Sequence, residues 1–269
     1  MEWQFDYRML KARTPEPKGD IVFIHGFAVD NACFIFIIDK FTNYNLYFLN
    51  LPGHGNKLKV STNKREMKLK LRLNYMANYV VNFLKTMDLK NIILVGHSMG
   101  GAVASLVENR ARDRIKKLIL ISPMNITNAY TVAKFRRRFF PKNIEQKLKM
   151  MTYVYKVPRS EKNLMWMRIN KMQLHQHLQQ WKQMKFLGKR EMCSLKTLYN
   201  VNRAQKKIRV PLMVCLGVAD ELEPFNATKR NFLRHHPNAK IVAFRDSGHM
   251  CFEEETFKFA KEVKDFIEQ

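Results

Sequence analysis

The chain has 269 residues and 46% hydrophobic content, enough for one sizeable core and ordinary for a globular protein. No apolar run reaches the roughly 18 residues of a membrane span, and Met1–Asp6 lacks a basic stretch followed by an apolar one, so neither a spanning helix nor a signal peptide is expected. Cys33, Cys193, Cys215 and Cys251 are scattered, which excludes a disulfide framework and Cys-x-x-Cys metal spacing and points to a reducing cytoplasm; no metal and no cofactor are expected. The formal net charge of +25 is compatible with an anionic partner or with lysine spread over solvated faces, and no heptad or zinc-finger motif accompanies it, so nucleic acid is disfavoured.

Trp3–Leu10 alternates weakly and reads as an edge strand or hairpin. Thr14–Gly19 holds two prolines and a glycine and reads as a loop. Asp20–Ile24 is an apolar strand that runs into His25-Gly26-Phe27. Cys33–Phe41 is apolar nearly throughout and reads as a short buried helix, and Asn45–Asn50 as the next strand, closed by Leu51-Pro52-Gly53-His54-Gly55. His25 and His54 read as turn residues near a cleft rather than as bases. Val60–Lys70 is polar and basic and reads as a loop. Leu71–Leu84 carries Leu73, Met76, Ala77, Val80, Val81 and Leu84 at helical spacing.

Ile92–Val95 is a short apolar run that reads as a buried strand. It ends in Gly96-His97-Ser98-Met99-Gly100, which fits G-x-S-x-G, and Ala102–Val107 after it is helix-compatible. Strand, sharp turn and helix make a nucleophile elbow, with Ser98 on a strained turn and glycines where a Cβ would strike neighbouring backbone. A serine hydroxyl needs a base and an orienting acid. Downstream, the apolar strand Leu212–Gly217 leads to Asp220, and Lys240–Phe244 leads to Asp246-Ser247-Gly248-His249. The order nucleophile, acid, histidine, each at a strand end, assigns Ser98 as nucleophile, Asp220 as orienting acid and His249 as base, with Glu221 and Glu223 as alternative acids.

Alternation of strand and helix patterns stops at Pro123 and resumes near Pro211. Residues 124–207 hold 20 Lys or Arg against 3 Glu and no Asp, a net +17, together with 8 of the 16 Met. Apolar residues there recur at helical spacing, as in Leu164, Met167, Leu174, Leu178, Trp181 and Met184. This stretch reads as a helical insertion, 124–207, in a core of 1–123 and 208–269. Its run Lys134-Phe135-Arg136-Arg137-Arg138-Phe139-Phe140 reads either as a surface for an anionic membrane, aromatics dipping in, or as a solvated face over a buried Phe stripe. His175 with His177, and His235 with His236, are poor chelates, since positions two apart on a helix face different ways and no carboxylate cluster adjoins them. Glu253–Ile267 reads as a final helix.

Gly96–Gly101, Gly217-Val218-Ala219-Asp220 and Ser247-Gly248-His249 resemble the serine members of the α/β-hydrolase superfamily, nearest the esterase/lipase branch with monoacylglycerol lipases, carboxylesterases and proline iminopeptidases. The Lys-, Asn- and Phe-rich composition is similar to that of the esterase/lipase proteins of mollicutes. The resemblance implies a mostly parallel eight-stranded sheet flanked by helices, with the insertion as a cap following the sixth core strand and shaping the pocket. It implies an oxyanion hole from the backbone N–H groups of Phe27 and Met99, and it matches Glu253 or Glu254 to a glutamate frequent after the histidine, although a helix-capping role also suits them. Ser98 argues against the dehalogenases and epoxide hydrolases, which carry Asp there. The implied activity is hydrolysis of a small hydrophobic ester; the cysteines point to the cytoplasm, and the basic insertion reads either as a contact for the inner membrane face or as a solvated surface. A thioesterase or peptidase with the same triad and a non-catalytic binder are the alternatives. Proline iminopeptidases generally place acids in the cap, whereas this one has only Glu145, Glu161 and Glu191.

Overall fold

The computed structural model describes residues 3–55, 60–156, 164–179 and 181–269. Among the described residues seven strands form one sheet: β1 (Asp6–Leu10), β2 (Asp20–Ile24), β3 (Asn45–Asn50), β4 (Ile92–His97), β5 (Ile115–Ile121), β6 (Leu212–Gly217) and β7 (Lys240–Phe244). Their spatial order is β1-β3-β2-β4-β5-β6-β7. Only β1 is antiparallel, with Asp6 opposite Asn50; in the central parallel strands Gly96 of β4 lies opposite Ile24 of β2 and Leu120 of β5. The sheet therefore has seven strands where the resemblance implies eight. The segment between β1 and β2 carries Pro15 and Pro17, which have no N–H to give a ladder, and it crosses as a loop.

Strands β2, β4 and β6 are apolar on both faces because both faces are covered, as a parallel sheet requires. Val22, Ile24 and Leu94 point into one core with α2 (Leu73–Thr86), α3 (Met99–Arg110), α8 (Leu195–Gln205) and Phe232 of α9 (Phe225–His235). Ile21, Phe23, Ile93 and Val95 point the other way, onto Phe34 and Ile37 of the 3₁₀ segment Asn31–Lys40 and onto α11 (Thr256–Ile267). The apolar spacing read over Leu71–Leu84 is the buried face of α2. The final helix is broken in two: α10 (Cys251–Glu254) and α11.

Residues 60–70 are not all loop. Lys64–Lys70 form a helix, α1, that buries none of its residues. It is held locally: the Asn63 side chain accepts from the N–H groups of Arg65 and Glu66, and Glu66 pairs with Lys70 one turn on at 2.6 Å.

Between β5 and β6 the chain is helical in its described parts: Ile126–Tyr130 (3₁₀), α4 (Val132–Arg138), α5 (Ile144–Met151), α6 (Leu164–Gln179), α7 (Trp181–Lys185), a π-helical turn Phe186–Met192, and α8. This insertion follows the fifth strand, one fewer than implied, for the same reason that the sheet is one strand short. Helix α8 lies against the sheet layer, with Leu198, Val201 and Ala204 in the core shared with α3, so the part that stands off the sheet ends before it. Of the residues read as an apolar stripe, Leu174 and Met184 are buried and Leu178 is exposed. The side chains of Leu164, Met165, His177 and Trp181, and all of Glu161, lie outside the described residues. No helix among the described residues is long and apolar enough to cross a membrane.

The loops after β6 and β7 are pressed together. A Cβ on Gly217 would overlap the carbonyl oxygen of Gly248, and Ala219 N–H donates to Ser247 O at 3.0 Å. The Gly217→Ala variant is expected to lose 1–3 kcal/mol or more, on the order of the cost of overpacking, because the clash is with backbone and no rotamer relieves it. The exposed neighbour Val218→Ala should stay within about 0.5 kcal/mol of the parent. Urea unfolding of both variants checks this; equal stability would show that the loops can part freely.

Candidate active site

Ser98 sits between β4 and α3 with φ 53° and ψ −118°, a region that L side chains rarely adopt. Such a turn costs on the order of 1–3 kcal/mol and persists only where its surroundings fix it. Here they do. Ser98 N–H donates to Ile121 O at 2.9 Å, and Ser98 O accepts from Gly101 N and Met124 N, each at 2.9 Å. The flanking glycines are a steric necessity: a Cβ on Gly96 would stand 2.5 Å from Gly100 O, and one on Gly100 would overlap the carbonyl oxygens of Ile24 and His25. Met99 opens α3, so its N–H has no acceptor within the helix and lies at the positive end of the dipole. The turn after β2 adjoins the elbow, since a Cβ on Gly26 would come 3.2 Å from Ser98 Cβ. Phe27 follows that turn and packs its ring on Phe135 at 5.6 Å and Phe140 at 6.0 Å.

His249 and Asp220 meet as the sequence order implies. His249 Nδ1 lies 2.8 Å from Asp220 Oδ2, both residues buried, while Asp220 Oδ1 accepts from Leu222 N at 2.8 Å and Glu223 N at 3.0 Å. The two alternative acids are engaged elsewhere: Glu221 pairs with Lys134 on the surface, and Glu223 accepts from Asn128 Nδ2 at 2.7 Å and Asn125 Nδ2 at 3.2 Å. Burial first, and then the Asp220 charge, push the Glu223 carboxyl well above the usual carboxylate range, against a smaller opposing pull from Asn128. No hydrogen bond joins Ser98 Oγ to His249 among the described residues. Ser98 instead borders a narrow space of about 30 Å³, room for roughly two waters, lined by Met124, Val132, Phe135, Met192, Leu222 and Glu223 among others.

Two contributions to this site are not visible in the motifs. His97, the second residue of the elbow, puts Nε2 at 3.1 Å from His249 O and its ring centroid 4.8 Å from that of His249. A carbonyl only accepts, so His97 carries its proton on Nε2, and Nδ1, buried without a partner, is bare. The second is the insertion. His249 N–H donates to Val154 O at 2.7 Å, Lys156 N–H to Glu254 Oε1 at 2.8 Å, and the Tyr155 hydroxyl to Glu253 Oε2 at 2.8 Å. Glu254 also accepts from Gly248 N at 2.7 Å. Glu253 and Glu254 thus tie the histidine loop to the insertion rather than capping a helix.

His25 behaves as a turn residue: Leu51 N–H donates to its Nε2 at 3.0 Å, and Nδ1 lies 2.7 Å from Gly26 O. His54 packs on it with ring centroids 4.8 Å apart, and Ala28 N–H reaches His54 Nε2 at 3.4 Å. Away from the site, His236 Nε2 lies 2.7 Å from Gln205 O, and His175 Nε2 2.9 Å from Gln179 Nε2.

Sheet, elbow and the His249–Asp220 pair define an α/β hydrolase. Residues 15–256 match the family model described as serine aminopeptidase, S33, and the chain belongs to that family of hydrolases. A Mycoplasma pneumoniae protein that carries the provisional name esterase/lipase 3 is 29% identical over 256 residues, spanning 93% of this chain and 87% of that one. Monoacylglycerol lipase ABHD6 of Bos taurus is 25% identical over 289 residues, 99% of this chain and 80% of that one. Among solved structures, MenH from S. aureus superposes with a TM-score of 0.74 at 25% identity, covering 97% of each chain. A serine hydrolase from Cycloclasticus zankles, at 18% identity, shares the fold with a TM-score of 0.80 over 98% of this chain and 94% of that one.

The buried histidines behind the elbow make stability acid-sensitive. Burial lowers His25 to about 4, and burial together with the nearby His249 holds His97 well below the usual value. Both stay neutral in the fold while the unfolded chain protonates near 6.5, so their contribution is complete above that pH and declines as pH falls toward 4. Each costs about 1.4 kcal/mol per pH unit within the window. Urea unfolding at pH 7.5 and 5 should show His25→Asn less stable than the parent at the higher pH but losing less on acidification; parallel losses would contradict this origin.

Proposed function

We propose that the chain is a serine hydrolase of carboxylic esters that works through an acyl-enzyme. The observation that carries this reading is the 2.8 Å His249–Asp220 pair, packed on His97, the residue that precedes a serine in the strained elbow conformation. Asp220 fixes His249 with Nδ1 protonated and leaves Nε2 as the base. Ser98 Oγ–H gives its proton to Nε2 as Oγ bonds to the ester carbon, and the carbonyl electron pair moves onto oxygen. The backbone N–H groups of Phe27 and Met99 receive that oxyanion. Collapse expels the leaving alkoxide, which takes the proton back from His249. Water, deprotonated by His249, then attacks the acyl carbon and releases the acid and Ser98.

The wall of Met124, Val132, Phe135, Met192 and Leu222 suits an acyl chain. The space is narrow, and in this reading the helices of the insertion act as a cap that moves to admit substrate. A peptidase reading draws on the family description. Against it, Glu223 is the one carboxyl among the described residues lining the cleft, and its raised pKa makes it a poor partner for a substrate ammonium. Glu145 is exposed, and Glu191 is spent on Leu73 N–H at 3.2 Å.

A fluorophosphonate probe should label the folded chain, and p-nitrophenyl esters of rising chain length should turn over, with thioester and amide analogues slower. Ser98→Ala should abolish both labelling and turnover while leaving the fold intact, and Asp220→Asn should lower kcat by about 10³–10⁴. Retained turnover in Ser98→Ala would sink the assignment, and no labelling of the folded parent would favour a binding protein on this scaffold.

A further inference from the structure

Helix α4 has two unlike sides. Val132 and Phe135 face the Ser98 cleft, and Phe139 and Phe140 are buried behind it, Phe139 stacked on Phe135 at 4.8 Å. The aromatics of this run are therefore turned into the protein. Its arginines open onto a second, much larger, half-open cavity of about 560 Å³, bordered by α4, α5, the end of α7 and the turn Phe186–Met192 and within the size range of small-molecule sites. Arg136, Arg137, Arg138, Lys142, Lys149, Lys185 and Lys189 line it, and no carboxylate does among the described residues.

Like charges converging on one concavity repel, and the carboxylates that pair the nearby Lys134 and Lys156, Glu221 and Asp246, are not among its lining residues. Among the described residues none of Arg136, Arg137, Arg138, Lys142, Lys149 and Lys189 is in an ion pair with a carboxylate. Three of them are held in place all the same. The Arg138 guanidinium lies 3.9 Å over the Tyr153 ring, Lys189 Nζ 4.7 Å over Phe140, and Arg136 donates one N–H to Lys189 O at 3.1 Å. Fixed arginine forks with donors to spare, in a hollow with no carboxylate among its described lining residues, match the geometry of phosphate oxygens.

We propose that this cavity is an anion site that takes a multiply charged phosphate group, either of a soluble phosphorylated compound or of a lipid headgroup. It is separate from the ester chemistry: the ring wall of Phe27, Phe135 and Phe140 stands between it and Ser98, and it needs no catalytic residue. Phosphate bound here rests on the face of the insertion whose other side walls the cleft, so that occupancy and cleft opening are coupled through α4.

The test is calorimetric titration of the full chain with inorganic pyrophosphate at about 150 mM salt, where charges beyond roughly 8 Å are screened. Arg137, Lys142 and Lys149 are exposed and their side chains make no hydrogen bond among the described residues, so the triple change R137Q, K142Q, K149Q should fold normally. The control is K85Q, K116Q, K229Q, which removes the same charge from exposed positions outside the cavity. Saturable binding in the parent, weakened about tenfold or more in the cavity triple but unchanged in the control, is expected from the loss of charge-assisted hydrogen bonds. No saturable binding, or equal loss in both triples, would overturn the proposal and leave the charge as compositional. Vesicles of phosphatidic acid, a phosphomonoester, in phosphatidylcholine separate the two sources. Loss of vesicle binding in the cavity triple alone assigns a lipid headgroup, whereas no binding to vesicles, or equal behaviour of both triples toward them, assigns a soluble phosphate compound.

Discussion

The structure depends on one constrained turn. Ser98 is forced into a left-handed conformation because β4 and α3 are packed too closely for any other path. Gly96 lets α3 lie on the end of its own strand, and Gly100 lets it lie on the carbonyls of β2. The strain is borne by hydrogen bonds from the serine backbone to β5, to α3 and to Met124. The same packing brings the N–H of Met99, at a helix start, and the turn carrying Phe27 to the serine's side. What makes the turn costly is what makes it a site.

The histidine loop is fixed with comparable thoroughness, but by long-range contacts. Gly217 and Gly248 let the loops after β6 and β7 touch, which brings Asp220 to His249. Val154 and Lys156, from the insertion, then clamp the backbone around His249, and His97 packs under its ring. The segment between β5 and β6 thus helps hold the histidine loop in place.

Much of this was legible in the chain, for physical reasons. Strands buried on both faces must be apolar runs, so β2, β4, β5 and β6 stand out, and a nucleophile elbow cannot be built without glycines at Gly96 and Gly100. Asp220 and His249 were readable from their places after strands, and the geometry joins that pair rather than Glu221 or Glu223 to the histidine. Helix α1 was hidden because its stability lies in the Asn63 cap and the Glu66–Lys70 pair, not in apolar periodicity. The count of eight strands comes from the family resemblance alone, since the residues between β1 and β2, Pro15 and Pro17 among them, read as a loop in the sequence as well. The contacts of His97, Glu254 and Val154 with the histidine loop span up to 152 residues of sequence, beyond the reach of any local pattern. Net charge counted along the insertion likewise could not show that seven of its cations converge on one hollow while the aromatics between them turn inward.

The central claim is that Ser98 becomes covalently acylated. The most direct measurement is rapid-quench mass spectrometry of the full chain mixed with p-nitrophenyl butyrate. The account predicts a burst of nitrophenol equal to the enzyme present, with one butyryl group on the peptide that carries Ser98. Steady turnover with that peptide unmodified throughout, or with the acyl group on another residue, would contradict it.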